Sequence, residues 1–247
     1  MLSGWDFVAS PPVGRGLRNI DQSIVHEEIY AFFYRKSQLK LRGIPCCIVD
    51  VDDRFVREPF MAQFAQSPSS SFPPFDFVCV NIHVVFGRKI DRKGEIKQVR
   101  HLIQKIDEVC ADKGEVILMG DFNMPPRECA FEHRVALVQP PLCTTIFNSL
   151  YDNIYLTHDL TVTNQWMFHS GVHRIDWKFF PDTKKSAYKS PRATKARNAC
   201  NKSITDHLPV WVAIQPTALA YNDTGNRSTI CLSQIEYRSQ SSKFIME

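Results

Sequence analysis

Asp206 and His207 stand immediately before the apolar run Leu208-Pro209-Val210-Trp211-Val212-Ala213-Ile214, which sets an acid and an imidazole side by side where a buried strand begins. A strand mouth fixes the backbone yet stays open to solvent, and a histidine placed there titrates near neutrality. Taken singly, each residue is ordinary loop or capping material. Two further positions share the pattern: Asp121-Phe122-Asn123 follows Val116-Ile117-Leu118-Met119, and His83 closes Phe77-Val78-Cys79-Val80-Asn81-Ile82. Three polar strand ends of this kind are expected to form one catalytic rim. Tyr151-Asp152-Asn153-Ile154-Tyr155-Leu156 and Ile175-Asp176-Trp177-Lys178-Phe179-Phe180 are strand-like runs that each carry an acid, and either acid is a candidate for the same rim.

The elements that must position these residues alternate along the chain. Residues 30–34 and 60–64 are rich in aromatics and read as strands, with a Ser/Pro turn at 67–74. A strand over 75–85 leads through a basic loop to Gly94, after which Ile96, Val99, Leu102, Ile103, Ile106, Val109 and Cys110 recur at the three- and four-residue spacing of an amphipathic helix. Gly114 is placed to stop that helix, and 116–119 is the next strand. Asp121 and Asn123 therefore fall on a strand-end loop, where α/β proteins build sites. Residues 184–202 carry seven Lys or Arg and no acid, with Pro and Ser between them. The expected form is a flexible basic loop, either a solvated insertion or an arm that tracks phosphates. The polar tail 217–247 has little periodicity and is expected to be disordered.

With 247 residues, 44% of them hydrophobic, the chain can bury one large core, and residues 1–216 read as a single domain. The excess of 30 Lys and Arg over 26 Asp and Glu fits an anionic partner without requiring one. Eight cysteines without a paired CxxC spacing speak against a structural zinc site. Cys79 and Cys110 lie on apolar faces and read as core; Cys129 and Cys143 flank one loop and can bridge in an oxidising compartment. No apolar run approaches the roughly 18 residues that span a bilayer, and residues 1–10 lack the basic and apolar blocks of a signal peptide. Acceptor sequons at Asn201, Asn222 and Asn226 hint at secretion.

Seven motifs in order carry a resemblance. They are Ser10-Pro11-Pro12-Val13-Gly14-Arg15, Glu28-Ile29-Tyr30-Ala31-Phe32-Phe33-Tyr34-Arg35, Val56-Arg57-Glu58-Pro59-Phe60, His83, Met119-Gly120-Asp121-Phe122-Asn123, Tyr151-Asp152-Asn153-Ile154 and Thr205-Asp206-His207-Leu208-Pro209-Val210. Together they make the chain resemble the endonuclease/exonuclease/phosphatase superfamily, in its deoxyribonuclease I branch, over about residues 5 to 214. The resemblance implies an α/β (α+β) fold, a four-layer α/β/β/α sandwich of two packed, mainly antiparallel sheets flanked by helices. It also implies a monomer, secretion, and metal-assisted hydrolysis of a DNA phosphodiester. In that reading His207 is the general base oriented by Asp152, and His83 is the general acid paired with Glu28. Asp121 and Asp206 would hold Mg²⁺ or Ca²⁺, while Asn123 and Arg57 would bind phosphate oxygens. Asp176, in Arg174-Ile175-Asp176-Trp177, resembles the late acidic motif of other branches and is the second choice as partner of His207.

Complete members begin with a strand bearing an Asn near the metal and, further on, a Glu that is the principal metal ligand. Neither has a counterpart here, so the family pattern reads as truncated at its N-terminus, with weakened metal affinity and activity. His26 also stands where the deoxyribonuclease branch has a minor-groove aromatic. Two other functions are carried alongside: a phosphatase or sphingomyelinase of the same superfamily, and a non-catalytic nucleic-acid-binding protein that uses 184–202.

Overall fold

The computed structural model describes residues 4–14, 27–67, 75–110, 114–163, 165–184 and 190–217. His26, most of the 67–74 turn, Lys185, Lys189, Asn222, Asn226 and the tail beyond Thr217 lie outside the described residues. The fold is mixed α/β. Its centre is a six-stranded sheet in the order β3 (Leu39–Cys47), β4 (Phe60–Gln66), β5 (Phe77–His83), β6 (Glu115–Asp121), β8 (Asp152–Thr157) and β7 (Arg134–Ala136). The β5–β6 pair is parallel and is joined through helix α1 (Lys89–Cys110), as a parallel connection requires; the other pairs are antiparallel. Two two-stranded sheets complete the strands, β1 (Trp5–Ala9) with β2 (Ala31–Arg35) and β9 (Trp166–Val172) with β10 (Val210–Pro216). Among the described residues no strand joins these two pairs into one continuous sheet.

Side chains alternate across a strand, so the two faces of the central sheet collect different partners. Val78, Val80, Ile82, Val116 and Leu118 pack with Ile96, Val99, Ile103 and Ile106 of α1. The intervening residues Phe77 and Cys79 meet Phe32 and Tyr34 of β2, while Ile117, Ile154 and Leu156 meet Phe168 of β9 and Val210 and Val212 of β10. His83, Asp121 and Asp152 fall on this second face by the same two-residue step.

Three sequence expectations change. The stretch before Gly94 is helix rather than basic loop, because α1 starts at Lys89, where Arg88 binds Asp91 at 2.8 Å across the first turn. Residues 175–180 are not a strand: α4 (Ile175–Phe179) turns so that Asp176 can be buried against Arg174 and Thr183. The basic segment contains α5 (Pro191–Ser203), capped by Ser190, whose hydroxyl accepts the Ala193 N–H, and its buried residues Ala193, Arg197 and Cys200 have helical spacing. Two short helices, α2 (Pro126–Cys129) and α3 (His158–Val162), lie between the later strands. Cys129 and Cys143 form no disulfide. No helix among the described residues is long and apolar enough to cross a membrane.

Gly120 fixes the closest approach in the sheet. Its φ is +143°, and a Cβ there would stand 1.8 Å from the carbonyl oxygen of Ile82. Gly120→Ala is therefore expected to cost about 3 kcal/mol or more in urea unfolding. A loss under about 1 kcal/mol, the range of an unstrained substitution, would contradict so tight a β5–β6 contact.

Candidate active site

The register of the central sheet places three polar residues in one row. His83 lies opposite Asp121 across the parallel β5–β6 pair, and Asp121 lies opposite Asp152 across the antiparallel β6–β8 pair. Glu28 reaches His83 from the small β1–β2 side, held by paired backbone hydrogen bonds with Val13. Its Oε2 is 2.6 Å from His83 Nδ1, and its Oε1 is 2.9 Å from Arg57 Nε. Burial pushes the Glu28 carboxyl up, but the hydrogen bond and positive charge of His83, with the charge of Arg57, outweigh it and leave the pKa below its ordinary value. The His83 backbone N–H donates to the hydroxyl of buried Tyr30 at 3.1 Å.

A second pair mirrors the first. His207 Nδ1 lies 2.9 and 3.0 Å from the two carboxylate oxygens of Asp152. That hydrogen bond leads in raising the His207 pKa to about 9, against the opposing effect of burial and with help from the charges of Asp152, Asp121 and Asp206. Thr144 fixes Asp152: its hydroxyl accepts the N–H groups of Tyr151 and Asp152. Thr205 does the same for His207, accepting its N–H at 3.0 Å.

Both imidazoles aim at one atom. His83 Nε2 is 3.6 Å and His207 Nε2 is 3.8 Å from Asp121 Oδ2. Burial, and then the charge of Asp152, hold the Asp121 carboxyl above its usual range, although the Asn123 N–H and both histidines pull it down. Asp121, Asp152 and His207 can bring one ligand atom each within 4.8 Å of one another. Two oxygens and an imidazole nitrogen fit a divalent cation, whose charge would relieve the repulsion between the carboxylates. A cleft of about 350 Å³ opens over this trio, with Thr205, Leu208 and Pro209 on its wall. A larger cavity of about 530 Å³ lies beyond Met124 and Tyr151, but no carboxylate or imidazole of the row lines it.

The remaining expected residues lie around this row. Asp206 stands outside the converging trio and acts on His207 as a nearby charge. Asn123 is buried, with φ +48°; its backbone N–H donates to Asp121 Oδ1 at 2.8 Å and its side-chain amide to the Val84 carbonyl at 2.7 Å, so it braces Asp121 and commits one of its amide hydrogens to the backbone. Arg57 is partly buried, and its buried Nη1 has no hydrogen-bond partner among the described residues. Asp176 is fully buried and receives its side-chain hydrogen bonds from Arg174 and Thr183, not from His207. Sequence reasoning missed Tyr30, Thr144, Thr205 and Glu95. Glu95 accepts the N–H groups of Val56 and Val85, next to Arg57 and near His83, and its one visible signal is an acid on the apolar face of α1.

In backbone shape the chain matches a solved endonuclease/exonuclease/phosphatase family protein from Bacteroides thetaiotaomicron with a TM-score of 0.51 at 18% identity, covering 86% of this chain and 76% of that one. The fold is that of the endonuclease/exonuclease/phosphatase superfamily. Two curated sequences are similar to the chain. A deoxyribonuclease of Thioalkalivibrio sp. is 29% identical over 169 residues, 64% of this chain, and human deoxyribonuclease-1-like 1 is 30% identical over 116 residues, 47% of this chain. The matches span 44% and 33% of those relatives' lengths. No protein-family model matches the chain.

The raised His207 pKa makes a signed prediction for the protein held in EDTA. A group raised from 6.5 to about 9 contributes stability that is complete below pH 6.5 and lost as pH rises through about 9. The thermal midpoint of the wild type should therefore fall across that window more steeply than that of His207→Gln. Parallel curves would show that the Asp152 contact is not made in solution.

Proposed function

We propose that the chain is a metal-dependent phosphodiester hydrolase, and specifically a DNA endonuclease of the deoxyribonuclease I type. One observation carries this reading: two histidine–carboxylate pairs point their free Nε2 atoms at the same oxygen of Asp121. A phosphodiester is anionic and resists attack, so its hydrolysis needs a base for water, an acid for the departing oxygen, and positive charge around the phosphorus. His207, fixed by Asp152, takes the proton from the attacking water. His83, held through Nδ1 by its hydrogen bond with Glu28, gives a proton from Nε2 to the leaving oxygen. Arg57 offers a buried guanidinium hydrogen to a phosphate oxygen, and Asn123 holds Asp121 in place beneath it.

Asp121 would hold Mg²⁺ or Ca²⁺, with Asp206 adding negative charge near His207. When bound, such a cation neutralises phosphate charge and acidifies a coordinated water. His207 is a base only in its neutral form, and positive charge at Asp121 opposes its protonation. The two strand pairs on one face of the central sheet are read as parts of a second sheet, which gives the four-layer α/β/β/α sandwich. DNA as substrate is supported by the two deoxyribonuclease relatives.

The test is nicking of supercoiled plasmid in Mg²⁺ and Ca²⁺. Wild type should nick, EDTA should abolish nicking, and His83→Ala and His207→Ala should each lose about 10²- to 10⁴-fold. Faster turnover of phosphomonoesters than of DNA would favour a phosphatase instead, and DNA binding without any nicking would favour a non-catalytic protein.

A further inference from the structure

The basic segment singled out in the sequence is folded against the catalytic loop. Helix α5 ends at Ser203, and the N–H groups of Ile204 and Thr205 bond the Cys200 carbonyl, so the chain passes from α5 into Thr205-Asp206-His207 without slack. Leu208, next to His207, shares a core with Cys200 of α5 and with Ile175 and Phe180 around α4. The N–H of His173, at the root of α4, donates to the Pro209 carbonyl at 2.8 Å.

What this mount presents to solvent is unusual. Trp177, Lys178 and Phe179 are consecutive and all exposed, the two rings by 39% and 56%. Arg174 lies 4.5 Å and Lys184 5.3 Å from the Trp177 ring, and Lys178 lies 5.3 Å from the Phe179 ring. Residues 174–203 contain nine Lys or Arg and two acids. Both acids are already engaged: Asp176 is buried under Arg174 and Thr183, and Asp182 pairs with Arg192 at 2.7 Å. Aromatic faces and the exposed Lys178 and Lys184 therefore alternate over one short surface, on the segment whose Ile175 and Phe180 pack with Leu208. A nucleic-acid strand alternates bases and phosphates in the same way.

We propose that α4, with the Pro181–Lys184 turn and α5 behind it, is a platform for an unpaired nucleic-acid strand flanking the reacting ester. Bases stack on Trp177 and Phe179, phosphates meet Lys178 and Lys184, and Arg174, tied to Asp176, holds the Trp177 ring in place. The platform deepens the phosphodiesterase reading and rests on it for the choice of ligand. A second copy of the chain is a poor occupant, because two such basic surfaces repel.

Binding of the full-length chain to a fluorescein-labelled single-stranded oligodeoxynucleotide, followed by anisotropy in EDTA, tests this without requiring cleavage. Trp177→Ala with Phe179→Ala should weaken binding about tenfold or more. Lys178→Gln with Lys184→Gln should weaken it too and lower the steepness of its salt dependence by about one to one and a half. These exposed changes should leave the circular dichroism spectrum and the hydrolysis of bis(4-nitrophenyl) phosphate unaltered. Wild-type binding that both variants retain would overturn the platform while leaving the hydrolase reading intact; no wild-type binding to any DNA would overturn the nucleic-acid reading as a whole. Concentration-dependent dimerisation lost in Trp177→Ala would assign the surface to self-association and overturn the proposal.

Discussion

Everything in the site depends on the register of three strands. Pairing His83 with Asp121 and Asp121 with Asp152 sets three polar side chains in one row at a sheet end, on the same face. Neighbouring strands lie about 4.8 Å apart, so the row spaces its members at the distance over which hydrogen bonds and charges act. A slip of one residue would turn every one of these side chains toward α1. Gly120 guards against that slip, since its backbone lies against the Ile82 carbonyl where no side chain fits. Beyond the strand end, the Val84 N–H bonds the Asp121 carbonyl and the Phe122 N–H bonds the Tyr151 carbonyl, which carries the pairing into the loops.

The row becomes chemical only because two other parts of the chain bring partners to its ends. Glu28 arrives at His83 through its bridge to Val13. His207 arrives at Asp152 through its bridge to Thr145, with the Ile146 N–H on the Asp206 carbonyl and the Leu208 N–H on the Thr144 carbonyl. The electrostatics separate the carboxylates by task. Glu28, between a histidine and an arginine, is drawn toward its charged form, whereas Asp121, partly buried and facing Asp152, is driven away from it. An acid in that state is one that added positive charge stabilises.

Much of this was legible in the sequence where chemistry coincided with a strand end. Asp121, His83 and His207 announce themselves because each interrupts an apolar run at its edge. The periodicity from Ile96 to Cys110 likewise reads as helix, but the first turn of α1 is charged and exposed and gives no apolar signal. Ile175, Trp177 and Phe179 alternate as a strand would, yet the burial of Asp176 under Arg174 and Thr183 bends the segment into a helix. In α5 the lysines and arginines hide the helical spacing of Ala193, Arg197 and Cys200. Thr144 and Glu95 were hard to read for another reason: they act by accepting backbone N–H groups, and in the sequence Thr144 looks like any loop threonine while Glu95 shows only as an acid on an apolar helix face.

The central claim is that both imidazoles address Asp121 through Nε2 while their Nδ1 protons are held by Glu28 and Asp152. Long-range ¹H–¹⁵N spectra of the His83 and His207 rings, recorded as Mg²⁺ is added to wild type and to Asp121→Asn, test it directly. The account predicts a protonated Nδ1 on both rings, with Mg²⁺ shifting both Nε2 resonances in the wild type and neither in the variant. A bare Nδ1 on either ring, a shift confined to one histidine, or equal shifts in Asp121→Asn would contradict it.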